Sequence, residues 1–296
     1  MNSIYRDIAE RTGGDIYIGV VGPVRTGKST FVSQFIQKVI LPNITDKNDK
    51  KRTVDELPQS ADGKTIMTTQ PKFVPSGGVK ITLGDKSTAN VRLIDCVGYP
   101  VDGAEGLTED DKPRLVNTPW QSEPIPFEKA AELGTHIVAS EHSTVAVVVT
   151  TDGSIGDIPR ENYLAAEART IVELDRIGKP YVVVVNSTMP DGDNARAVCD
   201  EITAKYGATV VAVDVQKADK KTMESVVSAL LREFPVARIF VNLPKWMRAL
   251  SADNKVVAEV LATVKKCAES LCKMCDADKL CRGFEGCKFA ESVTVS

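Results

Sequence analysis

The chain has 296 residues, of which 43% are hydrophobic and 26% charged, and its formal net charge is −3. It is long enough to bury a large core and to form more than one domain. The small acidic excess argues against nucleic acid as a partner, because nucleic-acid binding calls for a basic face. The N-terminal residues lack an apolar secretory core, no apolar run approaches the roughly 20 residues of a membrane span, and the odd number of cysteines favours a reducing compartment. We therefore expect a cytoplasmic protein.

The first predicted elements surround a glycine-rich loop. Residues 15–21 are apolar and β-branched, as in a buried strand, and residues 29–41 carry apolar side chains at helical spacing. Between them, residues 22–29 read G-P-V-R-T-G-K-S and fit the P-loop pattern G-x-x-x-x-G-K-[ST]. In a P-loop the backbone N–H groups and the helix N-terminus bind phosphates, the lysine reaches the β- and γ-phosphates, and the serine holds Mg²⁺. The pattern predicts a nucleoside triphosphate site lined by Gly22, Val24, Arg25, Thr26, Gly27, Lys28, Ser29 and Thr30.

Apolar strands and amphipathic helices alternate along the rest of the chain. The predicted strands are residues 79–83, 90–94, 144–149, 181–185 and 209–213, and the predicted helices are residues 128–139, 162–177, 195–206 and 222–234. The first two of these strands flank a short polar turn and predict an antiparallel pair, whereas the polar residues 43–64 predict a long loop. The alternation predicts an α/β fold of the P-loop NTPase type, GTPase-like (TRAFAC class), with a mostly parallel sheet and helices on both faces.

Two further segments supply parts that a GTPase-like site needs. Residues 90–98 form an apolar strand that ends in D-x-x-G, so Asp95 is predicted to hold the magnesium hydration shell and the Gly98 N–H to contact the γ-phosphate. The segment before the strand pair contains Thr68 and Thr69, one of which would close on Mg²⁺ and the γ-phosphate. The sequence leaves the choice between the two threonines open.

The segment that would contact the base differs from the GTPase pattern. GTPases read guanine with N-K-x-D after the next-to-last strand, where the aspartate accepts hydrogen bonds from guanine. The corresponding strand here is followed by Asn186, Ser187, Thr188 and Met189, so the asparagine is present but the lysine and the aspartate are not. A site without that carboxylate has no buried partner that adenine would leave unpaired. The sequence therefore favours ATP over GTP.

Two residues near the phosphates depart from related enzymes. Arg25 stands where cation-dependent relatives of this fold carry an asparagine that helps to place a potassium ion. Its guanidinium would either supply positive charge within the chain or simply face solvent. Tyr99 follows the D-x-x-G glycine, where Ras-like enzymes keep a water-orienting glutamine. We therefore expect slow hydrolysis, or hydrolysis that needs an assembled neighbour to position the water.

Pro235 marks a predicted boundary between a P-loop domain over residues 1–235 and a small, partial second domain over residues 236–296. In the second domain, residues 236–243 predict a strand and residues 254–274 a helix. Five cysteines lie in this part: Cys267, Cys272, Cys275, Cys281 and Cys287. Only one C-x-x-C pair is present, whereas structural zinc sites usually combine two, so the spacing favours free thiols over a metal site.

These residues together resemble the ATPase of the stage IV sporulation protein A family. The similarity is close over residues 4–245 and weak beyond, and it includes D-C-V-G-Y at residues 95–99 and T-T-D-G-S-I-G-D at residues 150–157. Further matching segments are residues 7–17, 24–30, 55–60, 63–75 and 117–120.

The resemblance implies ATP as the nucleotide, with Mg²⁺, and hydrolysis that drives self-assembly into a layer on the forespore, beneath the spore coat, on the mother-cell side. It implies Lys28 as the Walker A lysine, Asp95 as the Walker B aspartate, and Thr68 and Thr69 as sensor threonines. The predicted catalytic residues are Lys28, Asp95, Thr68, Thr69 and Arg25, the predicted metal ligands are Ser29, Thr69 and Asp95, and Gly98 and Asn186 complete the nucleotide site.

The resemblance also implies partners: further copies of the chain, coat proteins and a small amphipathic membrane-associated peptide. Members of the family continue beyond the position that matches Ser296, into the domain that docks on this peptide, so we expect the chain to be a fragment or a short paralogue.

Two other functions fit the motifs: a switch GTPase, and a structural protein that binds nucleotide without turnover.

Overall fold

The computed structural model describes residues 12–58, 71–82, 88–104, 106, 108–109, 112–237, 239, 241–251, 253–276, 279, 282–284 and 287–289. The chain divides into two compact units, with the boundary between Leu230 and Leu231. No helix among the described residues is both long and apolar enough to cross a lipid bilayer.

A six-stranded sheet forms the centre of the larger unit. In chain order the strands are β1 (Asp15–Val21), β2 (Lys72–Thr82), β3 (Thr88–Asp95), β4 (Thr108–Glu109), β5 (Lys112–Pro113), β6 (Leu115–Thr118), β7 (Gln121–Pro126), β8 (Val145–Thr151), β9 (Tyr181–Asn186) and β10 (Val210–Val213). The central sheet has the order β10-β9-β8-β1-β3-β2, and β4–β5 and β6–β7 form separate two-stranded pairs. Neighbouring strands of the central sheet run parallel except β2, which is antiparallel to β3. The predicted mostly parallel sheet is confirmed.

Helices of the larger unit pack on the sheet, and the last two described helices lie in the smaller unit. In chain order the helices are α1 (Lys28–Phe35), α2 (Lys47–Asp55), α3 (Phe127–Ile137), α4 (Arg160–Arg176), α5 (Asp193–Tyr206), α6 (Lys220–Arg232), α7 (Lys245–Arg248) and α8 (Lys255–Glu269). Helix α1 packs on β1 and β3, α4 on β8, and α5 on β9 and β10. Every residue of β8 and β9 is buried, as expected for strands covered on both faces.

The register of the strands brings their carboxyl ends to one edge of the sheet. Val20 of β1 pairs with Asp95 of β3, and Thr151 of β8 pairs with Asn186 of β9. The loop that follows β1 therefore lies beside the ends of β3, β8 and β9. In parallel sheets of this kind, ligands bind at this edge.

In the larger unit, two sequence-based predictions of secondary structure were wrong in part. The predicted loop over residues 43–64 contains α2, whose N-terminus is capped by the Asp46 carboxylate, which accepts from the Asn48 and Asp49 backbone N–H groups at 2.8 and 2.9 Å. The predicted helix over residues 29–41 is α-helical only to Phe35 and continues as a π-helical turn over Ile36–Ile40 and a 3₁₀ turn over Leu41–Asn43.

The smaller unit has its own apolar core, built from Met247, Val257 and Val260. Helix α8 begins after Asn254, whose side chain accepts from the Val256 N–H at 3.0 Å. It ends at Glu269, five residues short of the prediction. The strand predicted over residues 236–243 is absent from the residues described there. The described cysteines of this unit are free thiols, and no group of three or more potential ligands that could hold a metal occurs in the described part of the chain.

A buried ion pair within α4 is hydrogen-bonded to Thr150 at the end of β8. The Arg160 guanidinium donates to both carboxylate oxygens of Glu167 at 2.6 and 2.9 Å, and the side chains of these residues are 13% and 3% exposed. The Thr150 hydroxyl donates to the same carboxylate at 2.6 Å. This network holds the residues between β8 and α4 close to the strand.

Substituting Glu167→Ala is expected to lower the free energy of unfolding by about 3–5 kcal/mol, because it leaves the Arg160 charge buried without its partner. The double variant Arg160→Met with Glu167→Leu should lose much less. The exposed pair of Arg52 and Asp49 provides the control: Arg52→Ala should cost no more than about 1 kcal/mol in urea unfolding. Equal costs for Glu167→Ala and Arg52→Ala would contradict the importance of the buried pair.

Candidate nucleotide site

The phosphate loop, residues 22–27, turns tightly between β1 and α1. Gly22 and Gly27 have φ angles of 130° and 92°, in the region that favours glycine. A Cβ atom at Gly22 would collide with the Val149 carbonyl oxygen, and one at Gly27 would collide with the Asn186 side-chain amide. Both glycines of the motif are therefore required by the backbone and by their neighbours.

Hydrogen bonds hold the loop in this shape. The Thr26 hydroxyl donates to the Pro23 carbonyl oxygen at 3.0 Å, within the loop. The Val24 N–H donates to the Tyr99 carbonyl oxygen at 2.8 Å, and the Tyr99 N–H donates to the Gly22 carbonyl oxygen at 3.2 Å. The segment after β3 is thus bonded through its backbone to the phosphate loop.

Lys28 is the first residue of α1 and is almost fully buried. Its Nζ donates to the Pro23 carbonyl oxygen at 2.5 Å. Burial lowers the pKa of Lys28, while the neighbouring Cys96 and Asp95 act in the opposite direction. The structure therefore places a buried amine directly behind the phosphate loop, where an anionic ligand would favour its charged form.

Ser29 of α1 meets Asp95 at the end of β3. The Ser29 hydroxyl donates to Asp95 Oδ2 at 2.6 Å. Burial raises the pKa of Asp95, and the hydrogen bond from Ser29 and the charge of Lys28 oppose this effect. Asp95 Oδ1 is buried and accepts no hydrogen bond from the described residues. A hydroxyl and a carboxylate with a free oxygen are the hard oxygen ligands that Mg²⁺ prefers, so these residues fit a magnesium ion.

Gly98, the glycine of D-x-x-G, lies directly against the phosphate loop. Its φ is 92°, and a Cβ atom there would collide with the Gly22 carbonyl oxygen and lie 2.5 Å from Lys28 Nζ. The structure thus brings Lys28, Ser29, Asp95 and Gly98 together around one loop. The nearby Thr30 and Val24 belong to α1 and to the loop itself.

Asn186 is also at the site, but its side chain contacts the protein on both sides. Its Nδ2 donates to the Thr26 carbonyl oxygen at 3.0 Å, and its Oδ1 accepts from the Val215 N–H at 3.2 Å. Asn186 therefore connects the phosphate loop to the ends of β9 and β10.

Arg25 and Tyr99 occupy different environments. Arg25 is exposed at the tip of the loop with a φ of 65°, and its charge acts on the Tyr163 hydroxyl. Tyr99 is buried against Val24 and Tyr163, and the Arg169 guanidinium lies 4.7 Å from the centre of its ring. Burial raises the pKa of Tyr99 to about 12. Its side chain packs in the protein interior.

Thr68 and Thr69 lie outside the described residues.

Asp152, for which the sequence suggested no role, follows β8 at the same edge of the sheet and accepts hydrogen bonds from Ser154, Ser187 and Asn194. The sequence signals for it were its place directly after a buried parallel strand and its place in the segment T-T-D-G-S-I-G-D at residues 150–157.

The family model described as "Stage IV sporulation protein A, ATPase domain" matches residues 1–235. This chain belongs to the stage IV sporulation protein A family. It is 47% identical over 293 residues to the stage IV sporulation protein A of Bacillus subtilis (strain 168), and 45% identical over 294 residues to that of Clostridioides difficile (strain 630). Each alignment covers 99% of this chain and 60% of the relative, so the chain spans about 60% of the length of these relatives.

The solved structures that the chain matches are less similar to it in sequence than these relatives are. Two crystal structures of SsGBP mutation variants match with TM-scores of 0.41 and 0.40 and sequence identities of 12% and 13%. They cover 76% and 75% of this chain, which in turn covers 57% and 58% of theirs.

Proposed function

We propose that this member of the stage IV sporulation protein A family binds ATP with Mg²⁺ along residues 22–29 and hydrolyses it. The observation that carries the proposal is the 2.6 Å hydrogen bond between Ser29 and Asp95, directly beside the buried amine of Lys28. These three groups are the serine, carboxylate and lysine that P-loop enzymes use for Mg²⁺ and for the β- and γ-phosphates.

Each residue has a defined part in this proposal. The N–H groups at the start of α1 and the Lys28 amine would bind the phosphates, and Ser29 and Asp95 would hold the magnesium ion. Bound Mg²⁺ would neutralise charge on the β- and γ-phosphate oxygens. The exposed Arg25 would add positive charge near the transferred group, and Thr68 or Thr69 would close over the γ-phosphate. Because Tyr99 is buried, we assign the positioning of water to a group other than Tyr99.

The substitutions Lys28→Ala and Asp95→Asn are expected to reduce ATP turnover roughly 100-fold or more. The first removes a positive charge that stabilises the phosphate oxygens, and the second weakens the binding of the Mg²⁺ that neutralises them. Phosphate release at saturating ATP and Mg²⁺ measures the effect, and chelation of Mg²⁺ should reproduce the loss in the parent protein. Lys38→Ala is a matched control, since Lys38 is exposed on the turn after α1. Turnover that persists in either site variant would contradict the assignment.

We propose ATP rather than GTP as the nucleotide. Met189 stands where guanine-specific enzymes carry an aspartate, and its side chain is 70% exposed. A thioether cannot accept the two hydrogen bonds that a carboxylate takes from guanine. The site therefore lacks the group that would reject adenine.

In competition against a fluorescent ATP analogue, ATP should displace the probe at a concentration about 10-fold or more below that of GTP. Met189→Asp should move this ratio toward GTP, because it restores a carboxylate. Met189→Ala removes the thioether without adding an acceptor and should leave the ratio near its original value. Stronger displacement by GTP in the parent protein would favour a switch GTPase instead.

We further propose that ATP turnover drives self-association of the chain into a layer at the forespore surface, on the mother-cell side. Residues 1–235 would be the ATPase domain and residues 236–296 the start of a second domain. Coat proteins and a small membrane-associated peptide would be further partners. These proposals rest on membership of the family.

Sedimentation of one preparation with and without ATP tests the self-association. The parent protein should pellet only with hydrolysable ATP, because turnover drives assembly, and Asp95→Asn should stay in the supernatant. Equal pelleting with ATP and with a non-hydrolysable analogue would favour a structural protein that needs nucleotide binding alone.

A further inference from the structure

A carboxylate at the end of β8 is surrounded by hydrogen-bond donors. Asp152 Oδ1 accepts from the Ser154 N–H at 3.0 Å and from the Ser154 hydroxyl at 2.6 Å. Its Oδ2 accepts from the Ser187 hydroxyl at 2.7 Å and from Asn194 Nδ2 at 3.3 Å. Burial alone would raise the pKa of Asp152, but these hydrogen bonds outweigh burial and lower it. The carboxylate therefore stays ionised and acts as an acceptor for three side chains.

The two serines that donate to Asp152 also hold the loop after β9. The Ser154 hydroxyl oxygen accepts from the Thr188 N–H at 3.0 Å, and the Ser187 hydroxyl oxygen accepts from the Met189 N–H at 3.0 Å. Two successive backbone N–H groups of this loop are thus fixed through hydroxyls that are themselves oriented by Asp152. The side chains of Thr188 and Met189 remain exposed.

This loop is joined directly to the phosphate loop. Ser187 follows Asn186, whose side chain donates to the Thr26 carbonyl oxygen. One residue therefore bonds to the phosphate loop while the next bonds to Asp152. Asn186 and Ser187 therefore set the distance between the phosphate loop and residues 187–189. In GTPases, the segment that follows the strand corresponding to β9 reads the base.

We propose that Asp152 is a positioning residue for binding of the nucleotide base, which orients Thr188 and Met189 as the surface that contacts the base. The proposal rests on the proposed nucleotide site. The two carboxylate oxygens of Asp152 already accept hydrogen bonds from four protein donors, so we assign Asp152 no direct contact with the ligand. Its effect on the ligand would pass through Ser154 and Ser187.

A comparison of two ligands tests this role. ATP contacts both the phosphate loop and the base surface, whereas inorganic tripolyphosphate contacts only the phosphate loop. Asp152→Asn replaces one carboxylate oxygen by an amide that donates instead of accepting, so it should weaken ATP binding roughly 10-fold. Tripolyphosphate binding, measured with Mg²⁺ by calorimetry, should change by less than about twofold. In turnover, KM for ATP should rise while kcat stays close to that of the parent protein.

Three further variants complete the test. Ser187→Ala breaks the link between Asp152 and Met189 and should show the same selective loss, which covers the case in which Asp152→Asn does not fold. Asp157→Asn changes an exposed aspartate of the same segment and should leave both affinities unchanged. Lys28→Ala should weaken both ligands together.

Unchanged ATP affinity in Asp152→Asn and Ser187→Ala would overturn the positioning role, and so would an equal loss for ATP and tripolyphosphate. If the proposed nucleotide site itself were wrong, the binding measurements would give a different result. In that case the parent protein would bind neither ligand, or Lys28→Ala would bind both as tightly as the parent.

Discussion

The side-chain amide of Asn186 lies between three segments that are distant in the sequence. It donates to Thr26 in the phosphate loop and accepts from Val215 beyond β10, while its backbone ends β9. A Cβ at Gly27 would collide with this amide, so the loop and the asparagine require each other. The path of residues 22–27, and with it the positions of Lys28 and Ser29, depends on this contact.

Burial disfavours the charged forms of Lys28 and Asp95, which lie behind the phosphate loop, as long as no ligand is bound. The pKa of Lys28 is lowered and that of Asp95 is raised, in both cases mainly because burial disfavours the charged form. A polyphosphate beside the amine and a divalent cation beside the carboxylate would each reverse this effect. The electrostatics of the site therefore favour an anion and a cation bound together, as in a magnesium nucleotide.

The central sheet could be predicted from the sequence because β8 and β9 are uninterrupted apolar runs and helices alternate with them. Helix α2 could not, since its residues K-N-D-K-K-R-T-V-D have no apolar periodicity and only Thr53 is buried. Its one local signal was the capping residue Asp46. The apolar residues 236–243 predicted a strand, but apolar character alone does not supply a neighbouring strand with which to pair.

Some residues of the candidate site could likewise be predicted from the sequence, and others could not. Lys28, Ser29 and Asp95 could be predicted because each belongs to a short contiguous motif. The network of Asp152 could not, because its partners Ser187 and Asn194 lie 35 and 42 positions along the chain. Only the pairing of β8 with β9 brings these polar side chains together.

A crystal structure with Mg²⁺ and a non-hydrolysable ATP analogue tests the central claim most directly. The account predicts the triphosphate along residues 22–29, the metal ion at Ser29 and Asp95, and the adenine beside residues 187–189. A nucleotide bound elsewhere, with the Ser29 hydroxyl still bonded to Asp95 and no metal ion between them, would contradict it.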